Sequence, residues 1–387
     1  MRVLLMSHTC MSRTAGQPKL HCLANHKNLE LTALVPDKMC AYDEWRTLEM
    51  PVDPKFRFVV GRTRWHYICK QWYLTNYDLS LPRLLKETQP DLVDIWHEPW
   101  SLAAAQMIYW TKRLCPHAKI ITETEQNIYK KLPPPFQQIQ DYSLKHSDFM
   151  VARNEEAVEV LRRKGYKGSV KIVPNAVDCS LFEPKTEPGK ETLRLEFEWY
   201  KPGDFLVGYV GRLVPEKGLA DTLSAIAQQP PSVQLIFIGD GSMRKELETL
   251  AKTLKIEERV HFLGNKPLTE LPALMNSLHV LVLPSLTTSR WKEQFGRVLI
   301  EAGACKVAVV GSSSGAIPEV IGKAGLIFPE GNVVAFAECL SRLREDEESR
   351  TNCGEIGYNR AHGLFSWQCV ADDMMEIYRD VLGQSLQ

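Results

Sequence analysis

Ten cysteines are spread over 387 residues without one C-x-x-C pair and without a Cys/His grouping at zinc-finger spacing. That lack excludes the common structural zinc motifs and a thioredoxin-like redox centre, and it fits reduced thiols in a cytoplasmic protein. Asp-x-Asp occurs nowhere, which removes a common carboxylate seat for a catalytic divalent ion, so no metal and no resident cofactor is expected. No uninterrupted apolar run approaches the ~18 residues that a spanning helix needs. The run Arg2 to Met6 behind Met1 has the length of a strand and not of a secretory leader's apolar core, so neither membrane spanning nor secretion is expected. Net charge is missing as well, with 47 basic and 47 acidic side chains. A dedicated nucleic-acid binder needs a basic excess to neutralise phosphates, so that class is excluded.

Charge of one sign does reappear locally. Residues 1–190 carry 27 basic and 21 acidic side chains, leaving 20 and 26 for residues 191–387, so the first half is the candidate for an anionic partner or for peripheral contact with the inner membrane surface. The length is about two to three times that of a usual domain, enough for two independent cores. Short runs rich in Val, Ile, Leu and Phe begin near Val3, Leu31, Phe58, Leu92, Ile120, Phe149 and Val170, and restart at Phe205, Leu235, Val260, Val280, Val307 and Leu326. Longer segments of helical spacing separate them, the pattern of parallel sheets covered by helices. The expected organisation is a Rossmann-like α/β domain over 1–180, a linker over 181–204 marked by Pro184, Pro188, Gly189, Pro202 and Gly203, and a second Rossmann-like domain over 205–365. An amphipathic helix within 366–387 either closes the second core or crosses back to the first domain.

The richest stretch is Gly208 to Gly218, a strand that stops at Gly211, a loop carrying Arg212 and Lys217, and a second glycine before a helix. In an open parallel sheet the carboxyl ends of the strands face the ligand crevice. An Arg fork and a mobile Lys at that edge suit a diphosphate without a metal. A second signal is the E-x7-E pair Glu293 and Glu301 around Phe295-Gly296, behind Leu283-Pro284-Ser285. Eight residues of helix leave two side chains on one broad side, and free amides at Phe295 and Gly296 would open the helix toward an anionic or hydroxyl-rich ligand.

These elements do not stand alone. Ile238-Gly239-Asp240-Gly241, Phe262-Leu263-Gly264, Gly315-Ala316-Ile317-Pro318-Glu319-Val320 and Phe365-Ser366-Trp367 follow in order, and Val173-Pro174-Asn175-Ala176-Val177-Asp178 precedes them. As a set they resemble the nucleotide-binding domain of the family 4 retaining glycosyltransferases, with the resemblance running across most of residues 205–382. It implies the glycosyltransferase B (GT-B) fold, two Rossmann-like domains facing a central cleft. It also implies that Arg212 and Lys217 hold a donor diphosphate, that Glu293 contacts the transferred sugar, and that these three carry the chemistry. Glu301 then binds the ribose, with the Phe295 and Gly296 amides nearby, and Gly211, Gly264, Asn265 and Lys266 bring backbone and side chains to the phosphate and base, of UDP or GDP type.

The first half resembles the family less closely. Ser7 to Gly16 supplies one glycine, Gly16 beside Arg13, where relatives carry two or three. Thr124 stands where relatives place a histidine near the reacting sugar, with Glu125, Gln126 and Asn127 behind it. His97 and Glu98 close another strand as a candidate acid/base pair. His8 is a loop histidine with no visible partner, and Ile128 to Phe136 reads as a lip of the acceptor cleft. Arg57, Arg62, Arg64, Trp65, His66, Tyr67, Lys70, Trp72 and Tyr73 concentrate basic and aromatic groups that suit a membrane interface or a sugar chain. The acceptor-side candidates are therefore Gly16, His97, Glu98, Glu125 and Asn127. The expected activity is transfer of a hexose from a nucleotide sugar to a glycan, a lipid-linked or a small-molecule acceptor. An epimerase or glycoside phosphorylase on the same scaffold, or a nucleotide-sugar-binding protein without turnover, is the alternative.

Overall fold

The computed structural model describes residues 1–41, 44–64 and 71–383. Trp65, His66, Tyr67 and Lys70 of the basic, aromatic stretch lie outside the described residues. The chain divides into two units, Met1–Pro174 with Trp367–Gln387, and Asn175–Ser366.

The first unit is built on seven parallel strands in the order Ser169–Ile172, Phe149–Ala152, Lys119–Thr124, Leu92–Trp96, Arg2–Ser7, Glu30–Pro36 and Arg57–Gly61. Leu92–Trp96 is buried at every position, and Arg2–Ser7 at all but its first. That is why both read as continuous apolar runs and not as alternating ones. The chain order reverses between Arg2–Ser7 and Leu92–Trp96, and ligands of open α/β sheets bind beyond the carboxyl ends of strands at such a switch. Ser7 and Trp96 are paired there, so the loops opening at His8 and His97 leave the sheet side by side.

The second unit repeats the arrangement with six parallel strands, Val260–Gly264, Val233–Ile238, Phe205–Val210, Val280–Leu283, Ala308–Ser312 and Gly325–Phe328. Its switch lies between Phe205–Val210 and Val280–Leu283, and the loops opening at Gly211 and Pro284 leave from it.

Two segments differ from the sequence reading or resolve it. The stretch 181–204 is not a free linker but part of the second unit. Pro188 sits in the first turn of the helix Glu187–Arg194, where its missing N–H costs nothing and its fixed φ favours helix. Arg194 Nε donates to Ser277 O at 3.0 Å and Lys185 N to Asn276 Oδ1 at 2.7 Å, which fasten the stretch to the body of the unit. The C-terminal helix Trp367–Val381 belongs to the first unit, where Val370, Met374, Met375 and Ile377 are buried. Its Tyr378 hydroxyl donates to Asp94 Oδ2 at 2.6 Å, and Lys171 Nζ lies 2.6 Å from Glu376.

Candidate functional site

In the second unit the 3-10 turn Pro215–Lys217 brings the cation loop back against the sheet edge. It ends at Gly218 with φ +65°, and a Cβ there would come 2.0 Å from Pro284 O. Only glycine lets the loop lie this close to the end of the neighbouring strand. Lys217 Nζ reaches 2.6 Å from Glu293 Oε2, with the two side chains 14% and 10% exposed. Ser285 Oγ donates to the same carboxylate oxygen at 2.9 Å, and the ammonium stands 4.5 Å above the Trp291 ring. The two residues expected on diphosphate and sugar therefore meet each other at the switch.

Arg212 is disposed differently. Its side chain is 53% exposed, 3.9 Å from Glu216 Oε1, while Tyr209 Oη donates to its backbone carbonyl at 2.9 Å and steadies the loop behind Gly211. Glu301 is buried in the helix Arg297–Ala304, and burial pushes its pKa up against the pull of Arg297 3.5 Å away. Gly296 caps that helix, and the Phe295 ring is buried edge-on to Phe365. Gly264 closes the outermost strand and accepts Gly239 N–H at 2.8 Å. Asn265 and Lys266 follow it exposed, with Lys266 paired to Glu270 at 3.4 Å.

In the first unit the structure pairs His97 with His8, Nδ1 to Nδ1 at 3.3 Å, and Trp72 stacks on His8 at 5.5 Å. Burial lowers the His8 pKa to about 4 and holds His97 well below the ordinary value, so one neutral ring donates and the other accepts. His97, expected beside Glu98 as an acid/base candidate, thus has His8 as its hydrogen-bond partner, and Glu98 has partners of its own. Glu98 Oε2 accepts from Thr124 Oγ1 and Oε1 from Glu125 N, both at 2.7 Å, and burial raises its pKa to about 7. Thr124 is therefore one of the two residues that hold this carboxylate. Glu125 lies 3.4 Å from Arg153 Nε, and buried Asn127 donates to Glu156 at 3.2 Å. Gly16 opens the helix Gln17–Ala24, where a Cβ would come 2.5 Å from the Thr9 carbonyl carbon, so the loop can curl onto the helix start. Arg13 instead ties the loop outward, Nε donating to Met50 O at 2.7 Å. In the lip, Arg163 stands 4.4 Å over the Tyr129 ring.

Behind these groups lies a buried ionic cluster that sequence reasoning missed. Lys19 Nζ is 2.6 Å from Glu123 Oε1 and 3.7 Å from Asp94 Oδ2, and Arg153 pairs with the other oxygen of Glu123. Burial pushes Asp94 up, whereas Lys19 and Arg153 outweigh burial at Glu123 and hold it down. Ser285 and Trp291, which meet the Lys217–Glu293 pair, and Glu330, whose carboxylate accepts from Thr287 N and Oγ1, were also missed, although Ser285 lies within a motif already singled out. Among the described residues no group of three or more His, Cys, Asp or Glu side chains could hold a metal ion, and no helix is long and apolar enough to cross a membrane.

The two parallel α/β sheets, of seven and six strands, match the GT-B fold of glycosyltransferase structures. The solved structure of Anabaena HepE in complex with UDP matches 98% of this chain and 100% of its own with a TM-score of 0.74 at 18% identity. Residues 194–360 match the family of glycosyl transferases group 1, and the chain carries this family's domain, as its motifs led one to expect. D-inositol 3-phosphate glycosyltransferase of Corynebacterium jeikeium is 28% identical over 61% of this chain and 58% of its own length. N-acetyl-alpha-D-glucosaminyl L-malate synthase of Bacillus anthracis is 27% identical over 79% and 80%. The chain spans 52–58% of the length of two Corynebacterium D-inositol 3-phosphate glycosyltransferases that it matches.

Proposed function

We propose that the protein transfers a hexose from a nucleotide diphosphate sugar to an acceptor, with retention of configuration and without a metal ion. The observation that carries this reading is the Lys217–Glu293 pair at the switch point of the second sheet, with Ser285 on the same carboxylate. Negative charge grows on the departing diphosphate as the glycosidic bond breaks, and oriented cations stabilise it most in a site shielded from water. Lys217 and Arg212 supply that charge. An arriving diphosphate competes with Glu293 for Lys217, and the carboxylate released from the ammonium turns to the sugar hydroxyls. Glu301 takes the ribose hydroxyls, Phe295 and Gly296 offer amides, and Gly211, Gly264, Asn265 and Lys266 flank phosphate and base.

On the acceptor side the reading assigns Gly16, His97, Glu98, Glu125 and Asn127. A carboxyl with a pKa of about 7 exchanges a proton with a hydroxyl acceptor near neutrality. HepE has been solved with UDP and with UDP-glucose, which favours UDP over GDP as the first donor to test. The test is calorimetry with UDP and GDP, followed by product analysis with UDP-glucose and a panel of sugar, lipid-linked and small-molecule acceptors. Affinity for neither diphosphate sinks the reading. One observation favours a second reading, a donor-binding protein without turnover: Thr124 holds Glu98 where relatives place an imidazole. Donor left intact after prolonged incubation with every acceptor supports that alternative.

A further inference from the structure

The loop from Leu286 to Lys292 is more elaborately built than a simple connection requires. Thr288 N donates to Trp291 O at 2.8 Å, and Thr288 Oγ1 accepts from Arg290 N at 3.2 Å and Trp291 N at 2.9 Å, folding the loop tip into a closed turn. Thr287 fastens that turn to the body of the unit, donating from N at 2.5 Å and from Oγ1 at 2.9 Å to the Glu330 carboxylate. The backbone of Trp291 is therefore held from both sides. Its half-buried indole ends 4.5 Å from Lys217 Nζ, the cation that also meets Glu293 at 2.6 Å.

We propose that Trp291 is a positioning residue for Lys217, its indole face fixing the ammonium where a donor diphosphate reaches it. The proposal rests on the donor-site reading given above. A lysine ammonium has three N–H donors on a flexible stem, and holding it costs rotamer entropy. Glu293 and the indole engage two sides of it, so an anion approaching from the third meets a cation already oriented. The aromatic face matters most when the diphosphate draws Lys217 away from Glu293. A carboxylate competes with phosphate for the charge, whereas a ring quadrupole attracts the cation without neutralising it. The indole also shields one side of the ammonium from water, which strengthens its pull on the phosphate oxygens.

The test uses the full chain, with UDP and GDP as probes, in the wild type, Trp291→Leu, Trp291→Phe, Lys217→Ala and the double variant Trp291→Leu/Lys217→Ala. Calorimetry is expected to show about a three- to thirtyfold loss of diphosphate affinity in Trp291→Leu. Trp291→Phe should recover much of it, and Trp291→Leu should cost nothing further once Lys217 is alanine. A residue that merely packs the loop would weaken binding equally in both Lys217 backgrounds, and that result overturns the proposal. So does a Trp291→Phe variant as impaired as Trp291→Leu. NMR gives a check that needs no ligand: the Lys217 ε-methylene protons, assigned through Lys217→Arg, should carry an upfield ring-current shift in the wild type. Its absence overturns the geometry itself, whereas a shift present in a chain that binds neither diphosphate overturns the donor-site reading on which the functional role depends.

Discussion

Replacing Lys217 and replacing Arg212 should have different consequences even though both are assigned to the same diphosphate. Lys217→Ala leaves the buried Glu293 carboxylate without an ammonium that stands 2.6 Å away, in a pair whose side chains are only 14% and 10% exposed. Removing one partner of a fully buried pair costs about 3–5 kcal/mol. With the residual solvent access and the Ser285 hydroxyl still in place, about 2–3 kcal/mol is the reasonable expectation. For a unit of this size each kcal/mol moves the midpoint by roughly 2–4 °C, so Lys217→Ala should lower the unfolding temperature of the second unit by about 4–12 °C. Arg212 is 53% exposed and 3.9 Å from Glu216, a surface pair worth about 0.5 kcal/mol, so Arg212→Ala should shift the midpoint by no more than about 2 °C. Both variants should lose about ten- to a hundredfold in UDP affinity, the worth of a charge-assisted contact. In the double variant Lys217→Ala/Glu293→Gln the uncompensated charge is gone, and part of the lost stability should return. Differential scanning calorimetry without nucleotide, paired with UDP titration, separates the effects. A Lys217→Ala midpoint within 1 °C of wild type would refute the reasoning, because it would mean that the ion pair contributes nothing to the folded state.

The two glutamates of the E-x7-E segment should divide their labour: Glu301→Gln weakens UDP itself, whereas Glu293→Gln weakens UDP-glucose more than UDP. Equal losses for both ligands in both variants remove the assignment. The pH dependence of stability follows from Glu98, whose folded pKa of about 7 exceeds its ordinary 4.5 because it is buried. Between those values the folded chain holds on Glu98 a proton that the unfolded chain has released, so the contribution of Glu98 to stability should fall as pH rises from about 4.5 to 7, against the rising contribution of the buried neutral His8 and His97. Glu98→Gln should remove that contribution, so the wild type should lose stability relative to the variant as pH rises through this range, while Asp94, also raised by burial, acts alike in both. Urea midpoints that run parallel in wild type and variant across this range contradict the account. Excess EDTA should leave transfer intact, with Arg212 and Lys217 serving the diphosphate; loss of activity restored by Mn²⁺ or Mg²⁺ would reveal a metal seat.

Much of the fold could be read from the sequence because a parallel strand buried on both faces announces itself as an apolar run, as Val207 to Val210 and Val280 to Leu283 do. What escaped notice was non-local or ambiguous. Pro188 punctuates a loop and opens a helix equally well, so the packed stretch 181–204 reads as a linker until its contacts with Asn276 and Ser277 are known. His8 and His97 are 89 positions apart, and only the strand order brings their loops together. Lys19, Asp94, Glu123 and Arg153 look like ordinary surface charges along the chain, yet all four are buried. At the donor side the sequence treats Arg212 and Lys217 as equivalents. The difference between an open guanidinium and a caged ammonium arises from a tryptophan 74 positions further on, held by a loop without a periodic signal.

The discontinuity of the first unit has a consequence for how the protein is made. Its chain leaves at Pro174 and resumes at Trp367, so the ribosome starts this unit first and completes it last. Through the synthesis of nearly two hundred intervening residues, Asp94 waits without the Tyr378 hydroxyl and the helix Gln17–Ala24 waits without its C-terminal neighbour. The second unit, continuous from Asn175 to Ser366, can finish folding while the first is still open. A fragment ending at Pro174 should therefore be a poor stand-in for the first unit. The exit and return segments run side by side, Val177 N donating to Phe365 O at 2.8 Å, so a chain in which a short loop joins Pro174 directly to Trp367 should fold where the simple truncation fails.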